Sequence, residues 1–283
     1  MALTVTTNLS SLIVQNNLNK ATTSLDNAIE RMTTGYKINH ARDNAAGYSI
    51  SEAWKTKLGS IDVASQNAAM GLDLLRTAEE NYALINTHLQ RMRDLTEQAA
   101  NGTYGTTSLD AIKEEMKARA AEISRIALST EYNDIKFMTD GQAAINLQVG
   151  ISNTNSQITL EAALFGDTTL KTISGYGEAD DDAFIAACGA TATAAAHLVK
   201  LDDAIKAIST RITKIGAAQN RVESAMETLN TQSQNITSSL STLRDTDVAQ
   251  ESSNYIKAQI LQQASATLLS TANQAPSIAL NLI

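Results

Sequence analysis

Proline occurs once in this 283-residue chain, cysteine once and glycine 13 times. With Pro276 alone to interrupt it, the backbone is free to form long helices. A single thiol, Cys188, excludes an intrachain disulfide and reads as a small buried or loop side chain. Aromatics make up only 4% of the residues, so Ala, Ile, Leu and Val must do the packing. Basic residues are also scarce: the net charge is -8 and the sequence pI about 4.9. That excludes a basic nucleic-acid surface and gives no attraction to anionic lipid. No run of about 18 apolar residues is present, so neither a membrane span nor a tail anchor is expected. The N-terminus lacks the basic and apolar regions of a standard secretory signal.

Chemistry-bearing constellations are missing too. His40, His88 and His197 are scattered and match no metal spacing. The stretch GYG at 175–177 is too short for a phosphate loop. Glu79–Glu80 and Glu114–Glu115 read as carboxylates on helix surfaces. The cluster Glu178, Asp180, Asp181 and Asp182 lacks calcium-loop spacing and reads as a solvated acidic loop or helix start. Trp54, the sole Trp, reads as packing against a neighbouring helix or subunit. No enzyme, metal or cofactor is expected.

The last absence is the most informative. Residues 258–283 carry no Asp, Glu, Lys or Arg, and residues 1–19 carry none either. Both ends are nevertheless striped. Val14, Leu18, Ala21, Leu25, Ala28 and Met32 form one heptad. Leu261, Ala264, Leu268, Thr271, Ala275, Ile278 and Leu282 form the other. Two such helices can pair with each other. A pair with no charge on its outer face then needs further neighbours, best supplied by other copies of the chain. Val14, Leu18, Leu25 and Met32, with Leu261, Leu268, Ile278 and Leu282, are therefore the expected assembly stripe. Before assembly these tails are expected to be poorly ordered, folding as they bind.

The middle of the chain is patterned on a larger scale. From Leu198 to Leu243, spacings of three and four pick out fourteen positions, of which all but Gln219 and Ser233 are apolar. A helix over those residues is roughly 70 Å long and requires long partners. The partners are a stripe from Ile61 to Ala99 and another from Leu109 to Ala127, joined by the glycine turn NGTYGTTS at 101–108. From Asn133 the period shortens. NDIKFMTDG, AINLQVG and SQITLEA predict β-hairpins, with ISNTNSQ as an exposed turn. Polar spacers follow the N-terminal stripe (TGYKINHARDNAAG, 34–47) and precede the C-terminal one (Asp247 to Lys257). The fold class expected is mainly α: a long coiled-coil-like helical rod with a small β-hairpin region.

Two blocks carry a family resemblance. TNLSSLIVQNNLNKATTSLDNAIERMTTGYKINHARDNAAGYSISE and LQRMRDLTEQAANGT resemble the N-terminal half of bacterial flagellins. GAAQNRVESAMETLN and LRDTDVAQESSNYIKAQILQQASATLLSTANQAPSIALNLI resemble the C-terminal half. The likeness covers residues 1–160 and 198–283, so it implies a minimal flagellin with almost no outer domain. It departs from the usual pattern at EAWKTKLGS (52–60), and at Thr242 and Leu243, where a second basic residue is usual before Asp245.

The resemblance implies an organisation by chain position. Residues 1–34 would be an inner coiled-coil helix and 35–60 a spoke. Residues 61–165 would be the N-terminal part of a rod and 166–190 a short variable region. Residues 191–246 would be the C-terminal rod helix and 247–283 the second inner helix. It implies a structural subunit that self-assembles into the flagellar filament for swimming. The chain would be exported through the flagellar type III channel and reside in the extracellular filament. Its partners would be itself, an export chaperone, and the filament cap and hook-associated proteins. Arg91, Leu95 and Glu115 match the family positions that contact Toll-like receptor 5 and neighbouring protofilaments. A hook–filament junction protein, or another helical-bundle binding module, is the alternative.

Overall fold

The computed structural model describes residues 8–139, 143–151, 156–168, 172 and 181–280, without the side chains of 181 and 275–280. The apolar stripes become helices, two of which begin well before their stripes. In chain order these are α1 (Leu9–Thr34), α2 (Ala45–Ala100), α3 (Thr106–Ser129), α4 (Asp181–Cys188), α5 (Thr191–Arg244) and α6 (Val248–Leu280). Between α3 and α4 lie β1 (Ile145–Gln148), β2 (Gln157–Leu160) and a single 3-10 turn at Ala162–Leu164. The expected spoke is mostly helix: α2 starts at Ala45 and runs on unbroken for 56 residues. Gly59 interrupts nothing, because a lone glycine costs an established helix only about 1 kcal/mol.

The helix starts are set by short polar side chains. The Asn8 carboxamide oxygen accepts from Ser11 N at 3.1 Å, Asn44 Oδ1 from Gly47 N at 2.9 Å, and Asp247 Oδ1 from Ala249 N at 2.9 Å. Each satisfies a donor that the first helical turn leaves open. Helix α1 stops at Gly35, whose φ of 75° is the left-handed conformation; its N–H returns to Arg31 O at 2.9 Å.

The chain divides into two units, Gly59–Ser233 and the residues on either side of it. In Gly59–Ser233, parts of α2, α3, α4 and α5 meet around one apolar core. The α2 stripe is wholly inside: Tyr82, Ile85, Leu89, Met92 and Ala99 expose nothing. Met116 and Ile123 face it from α3, and Leu201, Ile208, Ile215 and Val222 from α5. One of the two polar exceptions in the α5 heptad has a partner, since Gln219 Nε2 donates to Glu79 Oε2 at 2.7 Å. Tyr82 buries its ring and donates its hydroxyl to Leu164 O at 3.0 Å.

The β region is smaller than the sequence pattern predicts. AINLQVG and SQITLEA form one antiparallel pair, with Ile145 opposite Leu160 and Gln148 opposite Gln157. NDIKFMTDG forms no strand over its described residues. Asn133 and Asp134 have φ of 50° and 65° and make a tight turn, with Tyr132 and Ile135 exchanging both backbone bonds at 3.0 Å. Phe137 and Met138 are then both fully buried, which breaks the alternation of a half-buried strand. Their carbonyls accept from Gly166 N and Thr168 N instead. Gly71 explains how the hairpin lies on α2: a Cβ there would strike the Leu147 side chain. Most of ISNTNSQ, and Glu178 and Asp180, lie outside the described residues.

Helix α4, within the segment 166–190 expected as a short variable region, inserts Phe184, Ile185 and Cys188 into the core. Asp182 pairs with Lys117 at 2.9 Å, so this acid is a surface partner of α3. Burial pushes the Cys188 thiol up to about 12, against an opposing hydrogen bond with Thr96. Relative to the usual 9.0 for a free thiol, the thiolate fraction falls about a thousandfold. In the folded chain, a thiol-specific reagent at mildly alkaline pH should label Cys188 only as fast as the chain opens. Urea should restore ordinary thiol reactivity, and both rates can be read spectrophotometrically.

Candidate assembly interface

Uncharged hydrogen bonds and small residues bring the chain ends together. Helices α1 and α6 pack closely and antiparallel. Four contacts set the register. Asn8 Nδ2 donates to Ala272 O at 2.7 Å, Ser11 Oγ to Asn273 Oδ1 at 2.7 Å, and Gln262 Nε2 to Thr22 Oγ1 at 3.3 Å. Arg31 lies 3.9 Å from Glu251 at the far end. The line buried between the helices is made mainly of small side chains, Ala21 and Ala28 from α1 and Ala258 and Ser265 from α6, and ends at the buried Glu251. Small residues let two backbones approach and leave larger neighbours at the edges of the contact.

The stripe residues therefore divide. Val14, Leu18 and Leu25 are half-buried beside the seam. Met32, Leu261 and Leu268 turn away from it and are 38%, 49% and 56% exposed. The side chains of Ile278 and Leu282 lie outside the described residues. Sequence spacing missed a second set of outward residues: Leu9, Leu12, Ile13, Ile256 and Ile260 are each more than half exposed. Fully covering one such side chain would contribute about 1.5–3 kcal/mol. The described part of the pair's outer surface thus combines exposed aliphatic side chains with few charges.

A polar clasp ends the pair. Lys37 N donates to Arg244 O at 2.7 Å and Thr246 N to Gly35 O at 2.9 Å, joining the two spacers backbone to backbone. Lys37 Nζ adds a bond to Thr242 O at 2.8 Å. The Arg244 guanidinium sits 4.5 Å from the centre of the Tyr36 ring and 3.3 Å from Glu52 Oε1, and the residue is only 8% exposed. The hydrogen bond from Lys55, with Arg244 nearby, holds the Glu52 carboxyl below the usual carboxylate range. Asp43 accepts from the His40 and Asn39 amides and is likewise held low, chiefly by His40. Half-buried Trp54 lines an open groove of about 530 Å³ with Ile38, Asn44 and Leu243.

The receptor-matching residues do not form one surface. Arg91 Nε and Nη2 grip the Glu115 carboxylate at 2.8 and 3.1 Å, and Arg119 approaches it at 3.6 Å. Leu95 is 2% exposed and belongs to the core, so only Arg91 and Glu115 present themselves outward. The hydrogen bond from Arg91 lowers the Glu115 pKa. Among the described residues no three His, Cys, Asp or Glu side chains gather as a metal site.

Two family models match the chain: the bacterial flagellin N-terminal helical region over residues 5–143, and the C-terminal helical region over 198–283. A flagellin of Bacillus subtilis is 33% identical over 302 residues, covering 98% of both chains, and one of Halalkalibacterium halodurans is 32% identical over 256 residues, covering 90% of both. The chain belongs to the flagellin family. It is a structural protein and not an enzyme. Polar flagellin F of Vibrio parahaemolyticus, 27% identical, aligns over 376 positions and covers the whole of both chains, so it carries residues that this flagellin lacks. Residues 144–197 are all that separate the two matched regions here, as befits a minimal form. Among solved structures, Bacillus cereus flagellin aligns with a TM-score of 0.49 at 29% identity, over 58% of this chain and 88% of that one. A candidate flagellar hook-associated protein of Vibrio parahaemolyticus shares the fold, with a TM-score of 0.59 at 14% identity over 71% and 99%.

Two outcomes follow from these contacts. Replacing Arg244 by Ala should loosen the clasp by about 1–3 kcal/mol, through lost packing and lost stacking on the Tyr36 ring. Faster hydrogen exchange at the Lys37 and Thr246 amides would report it, with Arg244→Lys intermediate because an ammonium cannot stack as a plane does. The folded Glu115 pKa lies below its unfolded value. Its stabilising contribution is therefore present above the unfolded value and is lost as pH falls through the folded one. In Arg91→Ala, the Glu115 midpoint measured by NMR should rise toward the usual carboxylate value.

Proposed function

We propose that this flagellin polymerises through the outward faces of its α1–α6 pair to form the filament that drives swimming. The observation that carries this reading is the placement of the terminal side chains. The small residues occupy the intrachain seam, and the large aliphatic ones are left exposed on a pair that carries few charges. A surface of that composition is best buried against identical copies, which supply the same apolar face without an unpaired charge. The polar clasp at Gly35 and Arg244 marks where each pair ends.

The family supplies the setting. The subunit passes through the flagellar type III export channel with a chaperone on its C-terminal segment. It is added beneath a cap complex and lies outside the cell, in a filament that begins at hook-associated proteins. For recognition by Toll-like receptor 5, the exposed Arg91–Glu115 pair is the available contact, and Leu95 contributes by shaping the core beneath it. The alternative, a short junction ring, differs in the extent of assembly.

Electron microscopy of the purified chain under salting-out conditions tests the reading. Long uniform filaments are expected from the parent chain. A Leu261→Asp, Leu268→Asp variant should remain unassembled at the same concentration. Each lost apolar contact of about 1.5 kcal/mol raises the critical concentration roughly ten-fold, before the cost of burying a carboxylate is added. Equal polymerisation of the variant would remove the outward faces from the interface. Short rings from the parent would favour the junction protein.

A further inference from the structure

The turn between α2 and α3 holds a chemical feature apart from the α1–α6 pair. Asn–Gly occurs once in the sequence, at Asn101–Gly102. Both residues are exposed, directly after the C-terminus of α2. A Cβ built on Gly102 would meet nothing within 4 Å, so its backbone is open to approach. The Asn101 N–H is held by Gln98 O at 3.1 Å, and Thr103 N–H donates to Asn101 Oδ1 at 3.3 Å. The second contact is the informative one. It turns the Asn101 side chain back along the following two residues of the turn. It also places a donor on the oxygen where negative charge would develop if that nitrogen attacked.

We propose that Asn101 is a site of spontaneous deamidation, promoted by the folded turn. The Gly102 backbone nitrogen gives its proton to hydroxide and forms a bond to Asn101 Cγ. The oxyanion that results sits on Oδ1, facing the Thr103 amide. The side-chain nitrogen takes a proton from water, regenerating the hydroxide; its bond to Cγ breaks and ammonia leaves, closing a five-membered succinimide. Water adds to either ring carbonyl and opens it to aspartate or isoaspartate. No metal, oxidant or cofactor is required; water is the only co-reactant. Glycine at 102 matters because it has no side chain to block the approach.

The location gives the event consequences. Each turnover replaces a neutral amide by a carboxylate on a chain whose net charge is already -8. The isoaspartyl form also lengthens the backbone by one methylene. That insertion falls two residues after Ala99, which is fully buried and whose carbonyl accepts from Thr191 Oγ1 at 3.0 Å. The end of α2 and the start of α5 are therefore the first structure to feel it.

The test follows the full-length folded chain at mildly alkaline pH and physiological temperature. Trypsin cuts at Arg93 and Lys113 and releases the peptide 94–113, which mass spectrometry resolves into amide, aspartyl and isoaspartyl forms. The expected result is steady conversion at Asn101, mainly to isoaspartate, accelerating with pH. A synthetic peptide of the same sequence, run alongside, should convert more slowly than the folded chain. Gly102→Ala should slow conversion by about an order of magnitude, since the added Cβ obstructs attack while fitting the open turn. Slower conversion in the folded chain than in the peptide would overturn the proposal. So would an unchanged rate in Gly102→Ala, or an Asn101 that stays amidated.

Discussion

The close antiparallel contact of α1 with α6 constrains the rest of the terminal unit. It rests on Ala21, Ala28, Ala258 and Ser265, side chains too small to keep two helices apart. Small residues at the centre of a contact force large ones to its margins, and two helices have only one mutual contact line. Leu12, Ile13, Ile260 and Leu268 consequently stay more than half exposed among the described residues. The lack of charge at both ends is the counterpart of that geometry: a Lys or Glu among these residues would have to be desolvated whenever the face was buried. An apolar, charge-poor surface is tolerable on a subunit whose working state is a polymer.

The Gly59–Ser233 unit is organised on the opposite principle. Its stripes are closed on themselves, with Tyr82, Leu89, Met116 and Leu201 fully inside. Charge is kept to the outside in pairs such as Arg93 with Asp202 at 2.6 Å and Arg91 with Glu115 at 2.8 Å. Such exposed pairs are worth little individually, about 0–1 kcal/mol. They fix which helix faces meet, while the apolar core supplies the stability.

Between each terminal helix and its long neighbour the chain must change direction without losing backbone hydrogen bonds. Gly35 does so by adopting a positive φ, and Asp43, Asn44 and Asp247 take up amides that no helix carbonyl reaches. Arg244 holds this arrangement from within, stacked on Tyr36 and paired with Glu52. The polar spacers visible in the sequence are therefore ordered structure held by side-chain caps, and Asp247 shows how a residue that breaks an apolar stripe can start a helix.

Periodicity alone determined the existence and type of the long helices, the reversal at Gly102–Gly105 and the charge-free ends, because a sustained heptad has one physical solution. The family followed from two blocks of the same residues. Tertiary structure decided what periodicity cannot express. It chose which line of each terminal helix faces inward: a stripe of Leu261 and Leu268 satisfies the spacing, yet the seam runs through Ala258 and Ser265, because close approach selects for size over hydrophobicity. It reduced the predicted hairpins to one, because Phe137 and Met138 gain more from the core than from alternation. It placed Leu95 inside while leaving Arg91 and Glu115 outside, a distinction set by which neighbours surround α2. It also brought the Thr103 amide to Asn101 Oδ1, a contact that depends on the conformation of the turn.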